Sequence, residues 1–257
     1  LNFVEKITYS CASRIYPNSF GLKDIILEEK FCKPQKLKVL ANGSSNGINT
    51  SYFNPSHFSE TENNILKKKL NIKLDDFVFI FVGRMVADKG INELVEAFKL
   101  LSKNTDKVKL VLVGPFETEL DPLQKNTLDE IENNSNIINV GFQNDVRPYF
   151  AISNTLVFPS YREGFPNVVM QAGAMGLPSI VSDINGCNEI IIENHNGIII
   201  PVKNTMAIFD AMKKIIENES FYNNIQQNAQ KRIVENYEQE VVWKAILEEY
   251  KTLERNV

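Results

Sequence analysis

From residue 77 onward, short unbroken apolar runs alternate with longer segments whose apolar positions recur every three or four residues. Runs of four to six apolar residues suit strands buried on both faces, and the three-to-four spacing suits the helices that cover them. Phe77 to Val82 ends in Gly83, Val108 to Val113 in Gly114, and Ile137 to Val140 in Gly141. Thr155 to Phe158 ends in Pro159, Ser179 to Val181 runs into Ser182-Asp183, and a last short run occupies Gly197 to Ile200 before Pro201. Between them, the spacing of Ile91, Leu94, Val95, Phe98 and Leu101, and the stretches Leu123 to Ile131 and Val168 to Met175, predict crossover helices. Helices at 204–217, 219–235 and 239–254 complete the pattern. It predicts an α/β class: a Rossmann-like parallel sheet with helices on both faces. Because each strand stops at glycine or a small residue, ligand-facing loops belong at the carboxyl ends of the strands.

The first 50 residues or so read differently. Residues 14–18 and 37–40 predict short strands flanking a helix at 21–31, as in one closing β-α-β unit of a preceding domain. Gly43-Ser44-Ser45-Asn46-Gly47 then reads as a flexible interdomain linker. Residues 1–50 are therefore expected to be a remnant of an amino-terminal domain plus linker, and residues 51–257 a complete domain with its carboxyl-terminal helices. The first residue is Leu1, inside an apparent helix, which is what a piece of a longer polypeptide would show.

Charge and composition narrow the function classes. A formal net charge of −4, with acidic and basic residues intermixed, offers no basic face for nucleic acid. Lys67-Lys68-Lys69 reads as a solvated helix face. Cys11, Cys32 and Cys187 have no metal-ligand spacing and read as reduced thiols of a cytosolic protein. No apolar run reaches the roughly 18 residues of a membrane span. His57 and His195, the two histidines, lie in polar stretches and are not expected to be catalytic.

Two segments carry candidate chemistry. In Tyr161-Arg162-Glu163-Gly164-Phe165-Pro166-Asn167, a strand ends, a turn presents Glu163, and a helix opens near Pro166. The free N–H groups of Gly164, Phe165 and their neighbours, backed by the helix dipole, form an anion-seeking end. Glu163 can accept hydrogen bonds from sugar hydroxyls, and Gln171, two turns on, can bond a ribose. Read alone, Glu163 could equally cap a helix and Gln171 lie idle on the surface. In Gly83-Arg84-Met85-Val86-Ala87-Asp88-Lys89-Gly90, Arg84 and Lys89 flank a loop after the first main strand, so both cations can converge above the sheet. The order of Gly and Lys is not that of a Walker A loop.

With these segments on view, residues 77–257 resemble the retaining, nucleotide-sugar-dependent glycosyltransferases of family 4. The matching motifs are Gly83-Arg84 with Lys89-Gly90, Val113-Gly114, and Pro159-Ser160 through Glu163-Gly164-Phe165-Pro166 to Pro178. The resemblance implies the carboxyl-terminal half of a GT-B fold, with residues 51–257 as its nucleotide-sugar-binding domain. It gives Arg84 and Lys89 the donor diphosphate and Glu163 the donor sugar. Gly83, Gly164, Phe165, Pro166 and Asn167 surround sugar and phosphate, and Gly141 and Phe142, with Gln143, flank the base. The ribose position, a glutamate in the family, is Gln171 here, which implies a weaker ribose contact. Pro166 has no N–H and can only shape the turn.

The implied activity is that of a hexosyltransferase, using a donor expected to be UDP-linked and needing neither cofactor nor metal. No Asp-x-Asp occurs in the chain. The Gly-Ser form of Ala41-Asn42-Gly43-Ser44-Ser45-Asn46-Gly47 is reminiscent of bacterial enzymes of capsule or polysaccharide synthesis. These act on saccharide or undecaprenyl-diphosphate-linked acceptors, here through the missing domain. That implies a cytoplasmic protein, with the full-length form peripheral at the inner face of the plasma membrane, and poor activity of this piece alone. The alternatives are a non-catalytic GT-B nucleotide-sugar-binding or regulatory subunit, favoured by Gln171, and a sugar-nucleotide epimerase. The latter needs more carboxylates and histidines than the motifs supply. Asp183-Ile184-Asn185-Gly186-Cys187-Asn188-Glu189 resembles the family's turn after the next strand, which implies a place near the site, with Asn188 and Glu189 either supporting it or serving as helix caps. Trp243 and Tyr250 should turn the last helix toward residues 1–45 or the missing domain.

Overall fold

The computed structural model describes residues 2–117 and 119–255. Six strands form one parallel sheet: β1 (Phe77–Val82), β2 (Val108–Val113), β3 (Ile137–Gly141), β4 (Thr155–Phe158), β5 (Ser179–Ser182) and β6 (Gly197–Ile200). Their spatial order is β3-β2-β1-β4-β5-β6. Phe79, Ile80 and Phe81 in β1, and Leu110, Val111 and Leu112 in β2, are wholly inaccessible. Each large side chain so buried contributes about 2 kcal/mol or more of transfer free energy, which is why these runs pair as central strands rather than alternate.

The helices are α1 (Asn2–Cys11), α2 (Phe20–Glu28), α3 (Glu60–Lys69), α4 (Ile91–Ser102), α5 (Lys125–Asn133) and α6 (Arg147–Ala151). They continue with α7 (Asn167–Ala174), α8 (Cys187–Ile190), α9 (Thr205–Glu217), α10 (Glu219–Tyr237) and α11 (Gln239–Glu254). A capping box between Ser59 and Glu62 starts α3, and its lysines fall in the last turn, where they suit the helix dipole. The chain steps outward from β1 through β2 to β3, returns beside β1 with β4, and steps outward the other way. With right-handed crossovers this reversal puts α4 and α5 on one face and α7 on the other. Accordingly α4 packs on α5 and α9, and α7 on α10. The reversal falls between β1 and β4, and the carboxyl ends of the strands at such a point are the place where open α/β sheets take ligands.

The amino-terminal segment departs from its sequence reading in two ways. The expected strands at 14–18 and 37–40 reduce to one parallel bridge, Ile15 with Leu37, closed by Ile15 N–H to Lys36 O and Lys38 N–H to Ile15 O. Pro17 has no N–H to extend the ladder. The presumed flexible linker is a folded turn: Ala41, Gly43, Ser44 and Gly47 all adopt positive φ, and Gly43, Ser44, Gly47 and Ile48 are buried. Ser44 N–H bonds Asn18 O at 2.7 Å, and Ile48 exchanges backbone bonds with Tyr237 and Gln239.

The last helix packs back as expected. Trp243 Nε1 donates to Asn46 Oδ1 at 2.7 Å, and buried Glu249 accepts from Lys38 and from the Tyr16 hydroxyl. Among the described residues, no helix is long and apolar enough to cross a membrane.

Candidate functional site

Close backbone approaches that only glycine permits bring the loops at this reversal together. A Cβ on Gly114 would lie 1.8 Å from Gly83 O, so the exits of β1 and β2 converge there. Gly90, at φ +71°, brings the β1 loop against β4, and a Cβ there would lie 2.2 Å from Pro159 O. The contact is secured by Tyr161 N–H to Asp88 O at 2.9 Å. Two loops far apart in sequence are thereby held edge to edge.

Across that seam Lys89 Nζ lies 2.5 Å from Glu163 Oε1, with both side chains largely buried (15% and 17% exposed). Ser160 Oγ donates to the same oxygen at 2.8 Å. Glu163 Oε2 has no partner among the described residues, so one carboxylate oxygen is anchored and the other is available to a hydroxyl donor. Arg84 does not join this pair. Its Nη1 donates to Glu117 Oε2 at 2.7 Å, in the loop after β2, and the two side chains are 48% and 33% exposed. The two cations of the first motif therefore stand at the same end of the sheet, each with its own carboxylate.

The turn after β4 presents its amides as the sequence suggests. Among the described residues no acceptor faces the N–H of Gly164, Phe165 or Asn167. Pro166 occupies the residue before α7 rather than its first position, at φ −76° and ψ 110°. Phe165 is anchored against the Tyr237 ring, with centroids 5.5 Å apart. Gln171 lies half-buried in α7, and its carboxamide makes no hydrogen bond among the described residues. Gly141, at φ +67°, ends β3. Phe142 beside it is 68% exposed, and Gln143 folds back onto Val140 O at 2.7 Å.

The sequence reading names Ser160 and Asn185 without a role and does not single out Glu117. Ser160 sits inside the motif, and its hydroxyl was the signal available. Asn185, in the turn after β5, donates through Nδ2 to Glu163 O at 3.2 Å and Gly164 O at 3.0 Å. Glu117 gave no signal beyond its place after a strand. Glu189 is a cap, but of a remote helix: its carboxylate accepts from Phe20 N–H at 2.8 Å and Gly21 N–H at 3.0 Å, at the start of α2. Asn188 bonds Asp183 Oδ1. Cys187 lies buried in α8, and burial pushes its thiol far up, the Glu163 charge adding to this and Lys89 opposing it. It is packing rather than a nucleophile.

His57 and His195 take no part in these contacts. Among the described residues no group of three or more His, Cys, Asp or Glu side chains is placed to hold a metal.

Residues 62–232 match the family described as Glycosyl transferases group 1. The chain is 33% identical over 258 residues to the capsular polysaccharide biosynthesis glycosyltransferase CapM of Staphylococcus aureus, covering 98% of this chain and 65% of that protein. It is 26% identical to the UDP-Gal:alpha-D-GlcNAc-diphosphoundecaprenol alpha-1,3-galactosyltransferase of Escherichia coli, over 91% of this chain and 59% of that one. The chain thus spans less than two thirds of these relatives. In fold it is similar to Anabaena Alr3699/HepE, solved with UDP and glucose, at TM-score 0.84 and 18% identity, over 98% of this chain and 68% of that one.

Proposed function

The chain belongs to the group 1 glycosyl transferases, and on that premise we propose that it is the donor-binding part of an enzyme that transfers a sugar from UDP to a saccharide or lipid-linked saccharide. The observation that carries this is the pairing of Lys89 with Glu163 at the strand-order reversal, beside unpaired amides of the same turn. A cation and free N–H groups at a helix start suit a diphosphate, and a carboxylate with one open oxygen suits sugar hydroxyls. Arg84 then leaves Glu117 for the phosphate, Gly83 lets the backbone come close, and Gln171 bonds the ribose as a neutral acceptor. Phe142 and the Gly141 turn flank the base. The relatives support this: one is named for a UDP-galactose donor and a diphosphoundecaprenol-linked acceptor, and a fold neighbour was solved with UDP.

In this reading the anomeric C–O bond breaks toward the diphosphate, whose growing charge is met by Lys89, Arg84 and the amides without a metal or cofactor. Glu163 is a poor covalent nucleophile, since one oxygen already serves Lys89 and Ser160. Retaining glycosidases need two carboxylates about 5 Å apart, and the motif's second acidic position is Gln171. Retention at the sugar therefore rests on the acceptor entering on the face the diphosphate leaves. The chain covers 65% of the length of the capsular relative, and in this reading the acceptor is met outside the residues that hold the donor.

The test is calorimetry of this chain with UDP, GDP, ADP and TDP, then with their sugars. UDP and UDP-sugars should bind, and the others should bind at least about tenfold more weakly. Equal binding of all four, or none, would contradict the reading. Gln171 favours a second reading, a GT-B subunit that binds without transferring. A full-length protein that binds UDP-sugar, shows no turnover, and gains turnover in Gln171→Glu would support it.

A further inference from the structure

The turn at Glu163 and Gly164 leaves open which way its peptide groups face, and a residue outside the motif decides it. A peptide is planar and trans, so each N–H points opposite to the carbonyl of the residue before it. Asn185 Nδ2 holds Glu163 O at 3.2 Å and Gly164 O at 3.0 Å. Drawing these two carbonyls to one side turns the N–H groups of Gly164 and Phe165 to the other, where no acceptor meets them among the described residues. The carboxamide is held this way round because Asn185 Oδ1 accepts from Ser19 Oγ at 2.8 Å. Ser19 is buried and also caps α2 by accepting from Leu22 N–H, while Glu189 receives the first two amides of the same helix, those of Phe20 and Gly21. Gly186 lets the Asn185 turn press against the donor turn, since a Cβ there would lie 2.5 Å from Gly164 O.

We propose that Asn185 is a positioning residue that aims the Gly164 and Phe165 amides at the donor diphosphate, and that Ser19 holds it in register. The proposal rests on the donor-site reading. It makes the amino-terminal segment a determinant of donor affinity without contact to the donor. Docking of α2 fixes Ser19, Ser19 orients Asn185, and Asn185 sets the two amides.

The experiment uses the 257-residue chain, labelled with ¹⁵N and titrated with UDP, as wild type, Asn185→Ala, Asn185→Asp and Ser19→Ala. In the wild type the Gly164 and Phe165 amide resonances should shift on saturation. Losing the carboxamide should weaken UDP about tenfold and abolish those two shifts, with Ser19→Ala weakening it about threefold. Asn185→Asp keeps the size and the Ser19 contact but sets a carboxylate against two carbonyls, so it reports on the amides even where Asn185→Ala loosens the fold. Variants that melt with the wild type, bind UDP within about twofold of it and keep both shifts would overturn the assignment. A wild type that binds UDP without moving either amide would overturn it too. A wild type that does not bind UDP would instead overturn the donor-site reading beneath it.

Discussion

Two ion pairs stand at the carboxyl end of the same sheet and are built on opposite terms. Lys89 and Glu163 meet across the seam between the β1 and β4 loops, largely buried, with Ser160 sharing the carboxylate oxygen. Arg84 and Glu117 meet at the rim with half and a third of their side-chain surface in water. Removing one partner of a buried pair strands a charge, whereas an exposed pair is screened and readily exchanged. The buried pair is thus held in place by its surroundings, and the rim pair is the one that solvent or an incoming anion exchanges more readily.

That contrast orders the expected effects. Lys89→Ala should be the most severe, lowering UDP affinity about 100-fold by calorimetry, because it removes the cation and leaves Glu163 repelling the diphosphate. A loss below about threefold would place the diphosphate elsewhere. Glu163→Gln should separate sugar from phosphate: UDP should bind about threefold tighter as Lys89 is freed, while any preference for UDP-sugar over UDP is lost. A parallel fall in both would instead make Glu163 a scaffold residue. Arg84→Ala should cost about tenfold, with a shallower salt dependence than the wild type. Glu117→Gln should be the mildest of these, tightening UDP about twofold by releasing Arg84.

A third pair, Lys38 with Glu249, ties the amino-terminal segment to α11 and reports on stability. The Lys38 hydrogen bond, helped by Tyr16 and opposed by burial, holds the Glu249 carboxyl below its usual range. A lowered folded value means the contribution is full above the ordinary carboxylate range and is lost as pH falls through the folded value. Melting curves of wild type and Lys38→Ala should therefore differ at neutral pH and converge in acid.

The sheet was legible because strands buried on both faces leave unbroken apolar runs, and because Gly83, Gly114 and Gly141 mark where they stop. The motif also brought Lys89 and Glu163 to one place, although their pairing with each other, and the diversion of Arg84 to Glu117, depend on rotamers that spacing does not encode. The amino-terminal strands were overread, since an apolar stretch counts as a strand only with a partner to extend along, and Ile15 and Leu37 give each other a single bridge. The Gly-Ser stretch at 43–47 was read as loose because glycine serves flexible and tightly turned chain alike. Its buried positive-φ residues show the second use. Asn185 falls in a turn that the sequence already sets near the site, but its role there is not legible: its partners are two carbonyls and a serine 166 positions away, and no local pattern records either.

The most direct test of the donor site is a crystal structure of this chain with UDP. The diphosphate should lie at the β1 and β4 loops, within hydrogen-bond reach of Lys89 Nζ and of the Gly164 and Phe165 amides, with Arg84 turned from Glu117 toward it. UDP bound elsewhere, such as in the cavity of about 240 Å³ between Tyr16, Glu249 and Tyr250, and not at Lys89 and Glu163, would contradict this placement.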